Sequence, residues 1–448
     1  MSITTDRIRS GRGSIRGERS TIRSGRGGTR RSSGAGSILP PAGAPRDLAM
    51  AQLANSVGDG AFIVTSALFF TRVVGLSTAE VGLGLTIAWL VGFLTGVPLG
   101  NLADRRGPRG TAVLLALTTA TSVASFLFVR SFALFLVAAI VYACSQTGLT
   151  AARQALLAGL VTPAERTRIR AFLQSTVNAG LAVGAALGGI ALRFDTSTAY
   201  LTVFALDALS FLIAARLLHR VPSVAVTVRV MGEPRLAVLH DRPYAVLALL
   251  NSIMLLFMPL LSLVAPLWIV SHTDAPDWVV ASLLIVNTLG VTFFQVRIAR
   301  SVRDLRTATR SVRYAGVAML AACAVFAISA AKMAAWTAAV VLVVAAALLT
   351  LGEMKLASGA WEISFGLAPA DKQGQYQGFF GTGPAIARML GPALLTTVVL
   401  GWGPIGWIAV GALFLGTSCA TGPAVRWAAR TRTVSEADQP LPVEENAV

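Results

Sequence analysis

The sequence has little charge and few of the residue types that carry enzyme chemistry. Only 13% of its 448 residues are Asp, Glu, Lys or Arg, whereas soluble globular domains average about 25%. Its three cysteines and three histidines do not cluster at the spacing of a metal site or a disulfide framework. It contains no GxxxxGK phosphate-binding loop, and no nucleophile is paired with a base. These absences argue against a soluble protein, an enzyme and direct use of ATP, and they predict neither a cofactor nor a bound metal.

Long apolar segments take the place of the missing charge. Hydrophobic residues make up 54% of the chain, and apolar segments recur between residue 51 and about residue 425. Their length of roughly 18–25 residues is enough to cross the ~30 Å hydrocarbon core of a bilayer as a helix. We count twelve, near residues 51–71, 81–99, 110–129, 132–152, 172–192, 199–218, 244–270, 278–296, 314–331, 334–352, 378–400 and 403–424. The sequence therefore predicts an all-α membrane protein with twelve transmembrane helices, and the even number places both termini on one side of the bilayer.

The charges between these segments predict the orientation of the chain in the membrane. Most loop arginines fall on one side, and the other side carries only Arg72, Arg130, Arg193 and Lys332. Basic loops are enriched on the cytoplasmic face, so both termini are predicted to be cytoplasmic. The net charge of +17 then follows from topology together with a basic N-terminal tail, and no nucleic-acid partner is expected. The preference for arginine over lysine, with abundant alanine, indicates a bacterial genome and hence a bacterial plasma membrane.

The first 47 residues differ from the rest in composition. They are rich in arginine, serine and glycine, and the hexamer IRSGRG occurs in them twice, at residues 8–13 and 22–27. Such a segment buries too little apolar surface to fold, and it lacks the apolar core of a signal peptide. Residues 1–47 are therefore predicted to be a disordered cytoplasmic tail, or an untranslated extension if Met50 is the first residue. The alternative is electrostatic binding of this tail to anionic lipid or RNA.

The two halves of the sequence repeat one plan. Residues 53–57 (LANSV) align with residues 249–253 (LLNSI), and residues 162–166 (TPAER) align with residues 368–372 (APADK). Each pair occupies the same place in chain order, six apolar segments apart. The matches indicate an internal duplication of six helices.

This repeat predicts the domain organisation. Two six-helix bundles, at residues 48–218 and 244–428, are joined by a cytoplasmic linker at residues 219–243 and followed by a cytoplasmic tail at residues 429–448. Parallel halves of this kind place a binding site between them, near the middle of the membrane.

A charged stretch interrupts the apolar sequence between the second and third spans. Residues 100–109 read GNLADRRGPR, and this loop resembles the cytoplasmic signature loop of the major facilitator superfamily. The resemblance implies a twelve-helix transporter that rocks between two states, with a conformational latch against the eleventh helix. The latch residues would be Gly100, Asp104, Arg105, Gly107 and Arg109. The alternative is a solvated loop whose charges only set the topology.

Two further stretches are similar to the multidrug/proton antiporter branch of this superfamily. Residues 350–378 contain GEM and a later APxxxxGxYxG pattern, and residues 178–189 repeat small residues at helical spacing. The second stretch implies close helix packing through Gly180, Gly184, Gly188 and Gly189. The sequence departs from this branch at Ala185, where proline is usual. It also carries Arg153 near the cytoplasmic end of the fourth span, whereas many relatives have an arginine inside that span.

Ionisable residues inside a span cost ~2.5–3.5 kcal/mol on insertion scales, so they need a reason. Asp59 lies on a polar stripe of the first span, and Glu353 lies in the tenth span. Both are candidate sites for coupling to protons or another cation. For Asp59 the alternative is a carboxylate capped by hydroxyl groups or paired with Arg153. Asp207, in the sixth span, is predicted to be structural.

The substrate leaves a weaker signal in the sequence. Arg388 either pairs with Glu353 or Glu362 or binds an anionic substrate. Met, aromatic and amide side chains at other span positions suit a lipophilic ligand, although packing is an equally simple reason for them. The candidate cavity residues are Asn55, Trp89, Tyr142, Gln146, Asn178, Asn251, Met254, Phe257, Trp361 and Arg388.

These observations together predict a secondary active transporter. The predicted activity is proton-coupled efflux of small lipophilic or cationic compounds by a monomer in the lipid bilayer, through alternating access. One alternative is an importer or facilitator of a polar nutrient on the same fold. A remote alternative is a transport-inactive membrane scaffold that acts through its basic tail.

Overall fold

The computed structural model describes residues 43–224, 236–276 and 278–437, and every regular element in these residues is helical. The twelve long helices are α1 (Ala44–Val73), α2 (Thr78–Arg106), α3 (Pro108–Phe126), α4 (Phe132–Leu160), α5 (Pro163–Phe194), α6 (Ser197–Arg220), α7 (Arg242–His272), α8 (Trp278–Ala299), α9 (Leu305–Ile328), α10 (Ala335–Leu367), α11 (Ala370–Leu400) and α12 (Pro404–Ala437). Eleven of them are long and apolar enough to cross a membrane, and α3, with 19 residues, is the twelfth. The prediction of an all-α membrane protein with twelve transmembrane helices is therefore confirmed.

Parts of the predicted domain organisation lie outside the described residues. This holds for nearly all of the predicted tail at residues 1–47, for the middle of the linker at residues 219–243 and for the end of the tail at residues 429–448. Within the described residues, α12 continues through Ala437, beyond the predicted end of the second bundle.

Several helices are longer than the apolar segments that predict them. Helix α5 has 32 residues and α10 has 33, because hydropathy marks only the part of a helix that crosses the hydrocarbon. Local capping residues mark the true ends. Ser77 and Glu80 form a capping box at the start of α2, and Pro163 occupies the first turn of α5.

The helices form two bundles, α1–α6 and α7–α12, each with its own buried side chains. In the first bundle an aromatic cluster joins four helices; its members are Phe62, Phe70, Phe126, Phe135 and Phe204. In the second bundle Trp407 stacks on Phe326 with ring centroids 4.5 Å apart. Each bundle is thus packed mainly around its own side chains, and a few residues, such as Val97 of α2 and Phe365 of α10, pack against the core of the other bundle.

Three helices contain a π-helical turn. These turns span Phe69–Val73 in α1, Leu260–Val264 in α7 and Thr396–Leu400 in α11. Each turn lies in the C-terminal half of a helix that begins on the side of the molecule where Asp104 lies. All three turns are therefore in the opposite half of the molecule. A π-turn loosens the regular hydrogen-bond pattern and is a common place for a helix to bend.

Small residues on one face of α5 bring it into backbone contact with α1. A Cβ atom on Gly184 would lie closer than 3.0 Å to backbone atoms of α1, and Gly180 and Gly188 also leave too little space for one. At Gly189 a Cβ atom would meet nothing within 4 Å. The prediction of a packing glycine is therefore wrong for Gly189, which lies on the adjacent, exposed face of α5.

We expect Gly184→Val to destabilise the protein strongly, because its side chain would collide with the backbone of α1. Overpacking of this kind costs about 1–3 kcal/mol or more. Gly189→Val is the matched control, since it adds the same side chain to the same helix in open space. The measurement is the thermal unfolding midpoint of each purified variant in detergent. Equal midpoints for the two variants would show that the α1–α5 contact is not as close as described.

Candidate functional site

The two bundles meet at one end of the molecule, which we call the Asp104 end. The even-numbered helices α2 to α12 end here, and the odd-numbered helices α3 to α11 begin here. Here Gly100 of α2 lies against Gly374 of α11, and a Cβ atom on either would lie closer than 3.0 Å to the other's carbonyl oxygen. One turn further into the molecule, Gly96 and Gly378 approach each other in a similar way. Only glycine allows this backbone contact between the bundles.

Asp104 binds the start of α11 across this contact. Its carboxylate accepts hydrogen bonds from the backbone N–H groups of Gly374 (2.6 Å) and Gln375 (2.9 Å). These groups belong to the first turn of the helical segment Gln373–Phe380, where unpaired N–H groups and the helix dipole favour negative charge. The carboxylate of one bundle therefore caps a helix of the other.

The remaining predicted latch residues have different surroundings. Gly107 has a φ of 93° and forms the tight turn between α2 and α3, a backbone conformation that favours glycine. The Arg109 guanidinium donates to the carbonyl oxygen of Val221 (3.2 Å) within the first bundle, and Arg105 is exposed. Of these five residues, Gly100 and Asp104 make the contacts with the other bundle that are described above.

Further contacts close the Asp104 end along α5. The Thr167 hydroxyl donates to the carboxylate of Glu362 in α10, and the Arg170 guanidinium lies 5.3 Å from the ring centroid of Trp361. Trp361, predicted as a cavity residue, instead packs in this contact between the bundles. These side chains and the α2–α11 contact hold the two bundles together at the Asp104 end, and we call this end closed.

A cavity of about 580 Å³ lies beyond this closed end, between α2 and α4 of the first bundle and α11 of the second. Its wall is mostly apolar or aromatic, and Gly378 forms part of its floor. Three predicted cavity residues line it, namely Trp89, Gln146 and Arg388. Lining residues that the sequence did not single out include Phe93, Thr147, Thr150, Thr382 and Met389. Two of these, Phe93 and Thr150, lie four residues after Trp89 and Gln146, so helical spacing could have identified them.

Arg388 is the only charged residue among those that line this cavity. Among the described residues it has no ion pair; Glu362 instead accepts a hydrogen bond from Thr167, and Glu353 accepts one from Asn287. The pairings considered from sequence are therefore absent in this conformation.

Asp59 is held by side chains from two helices. Its carboxylate accepts hydrogen bonds from Asn55 on α1 (3.0 Å) and from Gln146 (3.1 Å) and Tyr142 (3.3 Å) on α4. The Gln146 amide also donates to the Tyr142 hydroxyl (3.1 Å). Because Gln146 lines the cavity, the carboxylate is one side chain away from the space a substrate would occupy.

Arg153 reaches Asp59 only through an intermediate. Its guanidinium donates to the side-chain oxygen of Asn55 (3.0 Å) and to that of Gln52 (3.3 Å), and the Asn55 amide in turn donates to Asp59. Asp59 and Arg153 therefore form no direct ion pair, and the Asn55 side chain links them by one hydrogen bond to each. The two charges remain close enough to interact.

Two other acids in the spans lack a cation within ion-pair distance among the described residues. Glu353 of α10 accepts a hydrogen bond from the Asn287 amide of α8, and it does not line the cavity. Asp207 of α6 is fully buried against Gly58, next to Asp59, and its Oδ2 has no hydrogen-bond partner within the described residues. Its other oxygen accepts from Ser210 (3.3 Å).

The other predicted cavity residues lie elsewhere. Met254 and Phe257 are 1% and 6% exposed and pack in the core of the second bundle, so the prediction that they line a cavity is wrong for this conformation. Asn178 accepts a hydrogen bond from Gln174 on its own helix. Asn251 lies beside Gly383 of α11. Neither asparagine lines the described cavity.

Comparison with known proteins identifies the family. The sequence profile of the Major Facilitator Superfamily matches residues 48–392, which is well over half of the chain. The protein therefore belongs to this superfamily of membrane transporters, whose members bind small-molecule substrates. None of the curated protein sequences matches the chain.

Solved structures share the fold at low sequence identity. A bacterial homologue of the iron transporter ferroportin, in an outward-facing state, has a TM-score of 0.69 and 14% identity over 86% of this chain and 99% of its own. The human organic anion transporter MFSD10 (TETRAN) has a TM-score of 0.63 and 15% identity over 86% of this chain and 98% of its own. The proton:xylose symporter XylE has a TM-score of 0.61 and 13% identity over 86% of this chain and 94% of its own. At these identities the likeness establishes the fold alone.

Proposed function

We propose that this protein is a proton-coupled exporter of small lipophilic compounds that works by alternating access from a bacterial plasma membrane. The arginine-rich loops support a cytoplasmic location for the Asp104 end. The described state is then closed to the cytoplasm, with the cavity on the outer side of the closure. Rocking of the two bundles would open the Asp104 end and close the opposite one.

One observation carries this proposal: Gln146 both lines the cavity and donates a hydrogen bond to Asp59. The charged carboxylate accepts three hydrogen bonds and so holds this amide in place. A substrate that binds the amide in this orientation binds less tightly once a proton neutralises Asp59, so the two ligands oppose each other. Hydrogen bonds to a charged group contribute about 1.5–3 kcal/mol, so substrate binding and proton binding at Asp59 would be linked. Reciprocal linkage between two ligands is the requirement for coupled transport.

The direction of exchange follows from this linkage. A proton binds Asp59 from the outer side, and the neutral carboxylate lets the bundles close without enclosing a bare charge. The proton leaves when the Asp104 end opens, and substrate binds from the cytoplasm or the inner leaflet. Glu353, bound to Asn287 in the second bundle, is the second candidate for a titrating group in this cycle.

The lining of the cavity supports a substrate class. Leu85, Trp89, Phe93 and Leu390 offer apolar and aromatic surface, whereas Arg388 provides a single positive charge without an acid in the wall. This lining favours lipophilic compounds that are neutral or anionic over the cationic ones also considered from sequence. The wall also carries threonine and glutamine side chains, but its exposed surface is mainly apolar, which suits a sugar less well. Import of a polar nutrient therefore has less support.

Reconstituted proteoliposomes with an imposed pH gradient test the proposal. The assay compares uptake of an anionic, a neutral and a cationic lipophilic dye with uptake of xylose. We expect gradient-driven accumulation of the anionic or neutral dye, in the direction opposite to proton flow, and its collapse on addition of a protonophore. Xylose uptake without dye movement would overturn the proposal in favour of the importer.

Arg388→Gln should reverse the charge preference of transport. Loss of one charge-assisted contact, worth about 1.5–3 kcal/mol, should lower the ratio of anionic to cationic dye transport by at least about tenfold. Arg193→Gln, which removes an exposed arginine at the end of α5 away from the cavity, is the matched control and should leave the ratio unchanged. An unchanged ratio in Arg388→Gln would show that this guanidinium does not face the substrate.

A further inference from the structure

A second concave site lies at the Asp104 end, on the outside of the second bundle. It is a groove of about 490 Å³ between α9 and α12, and it shares no residue with the cavity. Four of its lining residues are arginines: Arg306, Arg310 and Arg313 on α9, and Arg426 on α12. None of the described residues that line it is acidic.

The arginines converge because of where they stand on the two helices. The three on α9 are spaced by four and then three residues, so they follow one face of that helix. From α12, Arg426 points to the same place. A Cβ atom at Gly422 would lie 3.6 Å from Nη1 of Arg426 and 3.9 Å from Nη2 of Arg313. Because Gly422 has no side chain, the space between the two guanidinium groups is not filled by this residue.

The positive charge of the groove is not neutralised within the described residues. No hydrogen bond or ion pair there engages the guanidinium groups of Arg310, Arg313 or Arg426. Asp304, at the start of α9, interacts electrostatically with Arg306 but uses its carboxylate to cap the helix at Thr307. Several like charges in one groove repel one another, so the groove favours an anion. Membrane topology explains why arginines are common at this end of the molecule. It does not explain why arginines from two different helices line the same groove.

Flanking aromatic residues place the groove at the level of lipid headgroups. Tyr314 and Trp427, the chain neighbours of Arg313 and Arg426, are 55% and 45% exposed. Exposed Tyr and Trp on transmembrane helices mark the interface between hydrocarbon and water. Arginine binds phosphate through paired, parallel N–H···O bonds, and basic pockets between helices on the cytoplasmic side take phospholipid headgroups.

We infer that the groove between α9 and α12 binds a phosphate-bearing anion, through Arg310, Arg313 and Arg426. Its depth favours the headgroup of an anionic phospholipid as the source of that phosphate. The inference does not depend on the proposed transport activity, because the groove and the cavity are separate. It assigns the second bundle a lipid contact that would hold α9 and α12 together at the membrane surface.

Native mass spectrometry of the purified full chain in detergent tests this inference. The protein is titrated with phosphatidylglycerol, with phosphatidylcholine and with inorganic phosphate. We expect preferential binding of phosphatidylglycerol, weakened about thirtyfold by Arg310→Gln combined with Arg313→Gln, at roughly fivefold for each arginine near an anionic lipid. The matched control combines Arg216→Gln with Arg220→Gln, which removes the same charge from exposed positions on α6 at the same end. It should change binding less than twofold, as expected for surface charges outside a site.

Each other outcome is decisive. If inorganic phosphate binds and displaces phosphatidylglycerol, the arginine site is supported, but its ligand is a soluble anion. Equal loss in the two double variants, or equal binding of the two lipids, overturns the inference. Arg310→Lys with Arg313→Lys keeps the charge and loses the paired N–H geometry, so an intermediate affinity supports direct phosphate contact. Unchanged thermal unfolding in lipid-free detergent confirms that each variant is folded.

Discussion

Asp59→Asn is expected to abolish proton-driven accumulation while leaving the protein folded. Asparagine keeps the size of the side chain and a hydrogen-bonding oxygen for Asn55, Tyr142 or Gln146, but it cannot bind and release a proton. In wild-type proteoliposomes a gradient of one pH unit is equivalent to about 1.4 kcal/mol per proton, or about a tenfold accumulation ratio. In the variant this ratio should fall to about one, as for transport without a coupled ion.

Asp195→Asn is the matched control for this experiment. Asp195 is an exposed acid between α5 and α6, where it pairs with Arg72 (2.6 Å). A hydrogen bond from the Tyr200 hydroxyl keeps the pKa of Asp195 below its ordinary value, so this carboxylate stays charged throughout a neutral pH range. Its replacement should leave the accumulation ratio unchanged. Retained proton-driven accumulation in Asp59→Asn would remove Asp59 from the mechanism and direct attention to Glu353.

The second large effect is expected at the contact between α2 and α11. Asp104→Asn removes the charge that accepts from the N–H groups of Gly374 and Gln375, and each such bond is worth about 1.5–3 kcal/mol. A loss of about 1.4 kcal/mol lowers the ratio of closed to open molecules tenfold. Gly100→Val should have a still larger effect, because its side chain would collide with the Gly374 carbonyl. Both variants should shift the protein toward a state that is open at the Asp104 end.

Spin-label distances across the Asp104 end measure this shift. Labels at Arg220→Cys and Arg303→Cys, in a background that lacks the native cysteines, report the separation of the two bundles. We expect a longer distance in both variants than in the wild-type background. Gly110→Val is the matched control, because a Cβ atom there meets nothing within 4 Å, and it should preserve the short distance. A short distance in Gly100→Val would contradict the described contact.

Local sequence signals predicted the fold and this contact well. The twelve apolar segments predicted the twelve helices correctly. A segment that crosses a bilayer must satisfy its own backbone hydrogen bonds as a helix, so its length and hydropathy are enough to identify it. The loop at residues 100–109 resembles the signature loop of the superfamily, and this resemblance predicted that Asp104 contacts the eleventh helix. The position of Asp104 against Gly374 agrees with that expectation.

The surroundings of the buried acids could not be read from sequence in the same way. Hydropathy and spacing show which face of a helix is polar, but they do not fix how that helix is rotated against its neighbours. Tyr142 and Gln146 are more than 80 positions from Asp59, and only tertiary packing brings them to it. The same uncertainty misplaced Met254 and Phe257, which are suited to a ligand pocket by type but lie in a packed core.

The three π-helical turns give the two ends of the molecule different mechanical properties. At the Asp104 end, the two bundles meet through glycine backbones and a capped helix terminus. At the opposite end, α1, α7 and α11 each contain a loosened turn, and such turns absorb bending over one or two residues. We therefore expect that any closure at this opposite end is gradual, through bending of the ends of these three helices around the contents of the cavity.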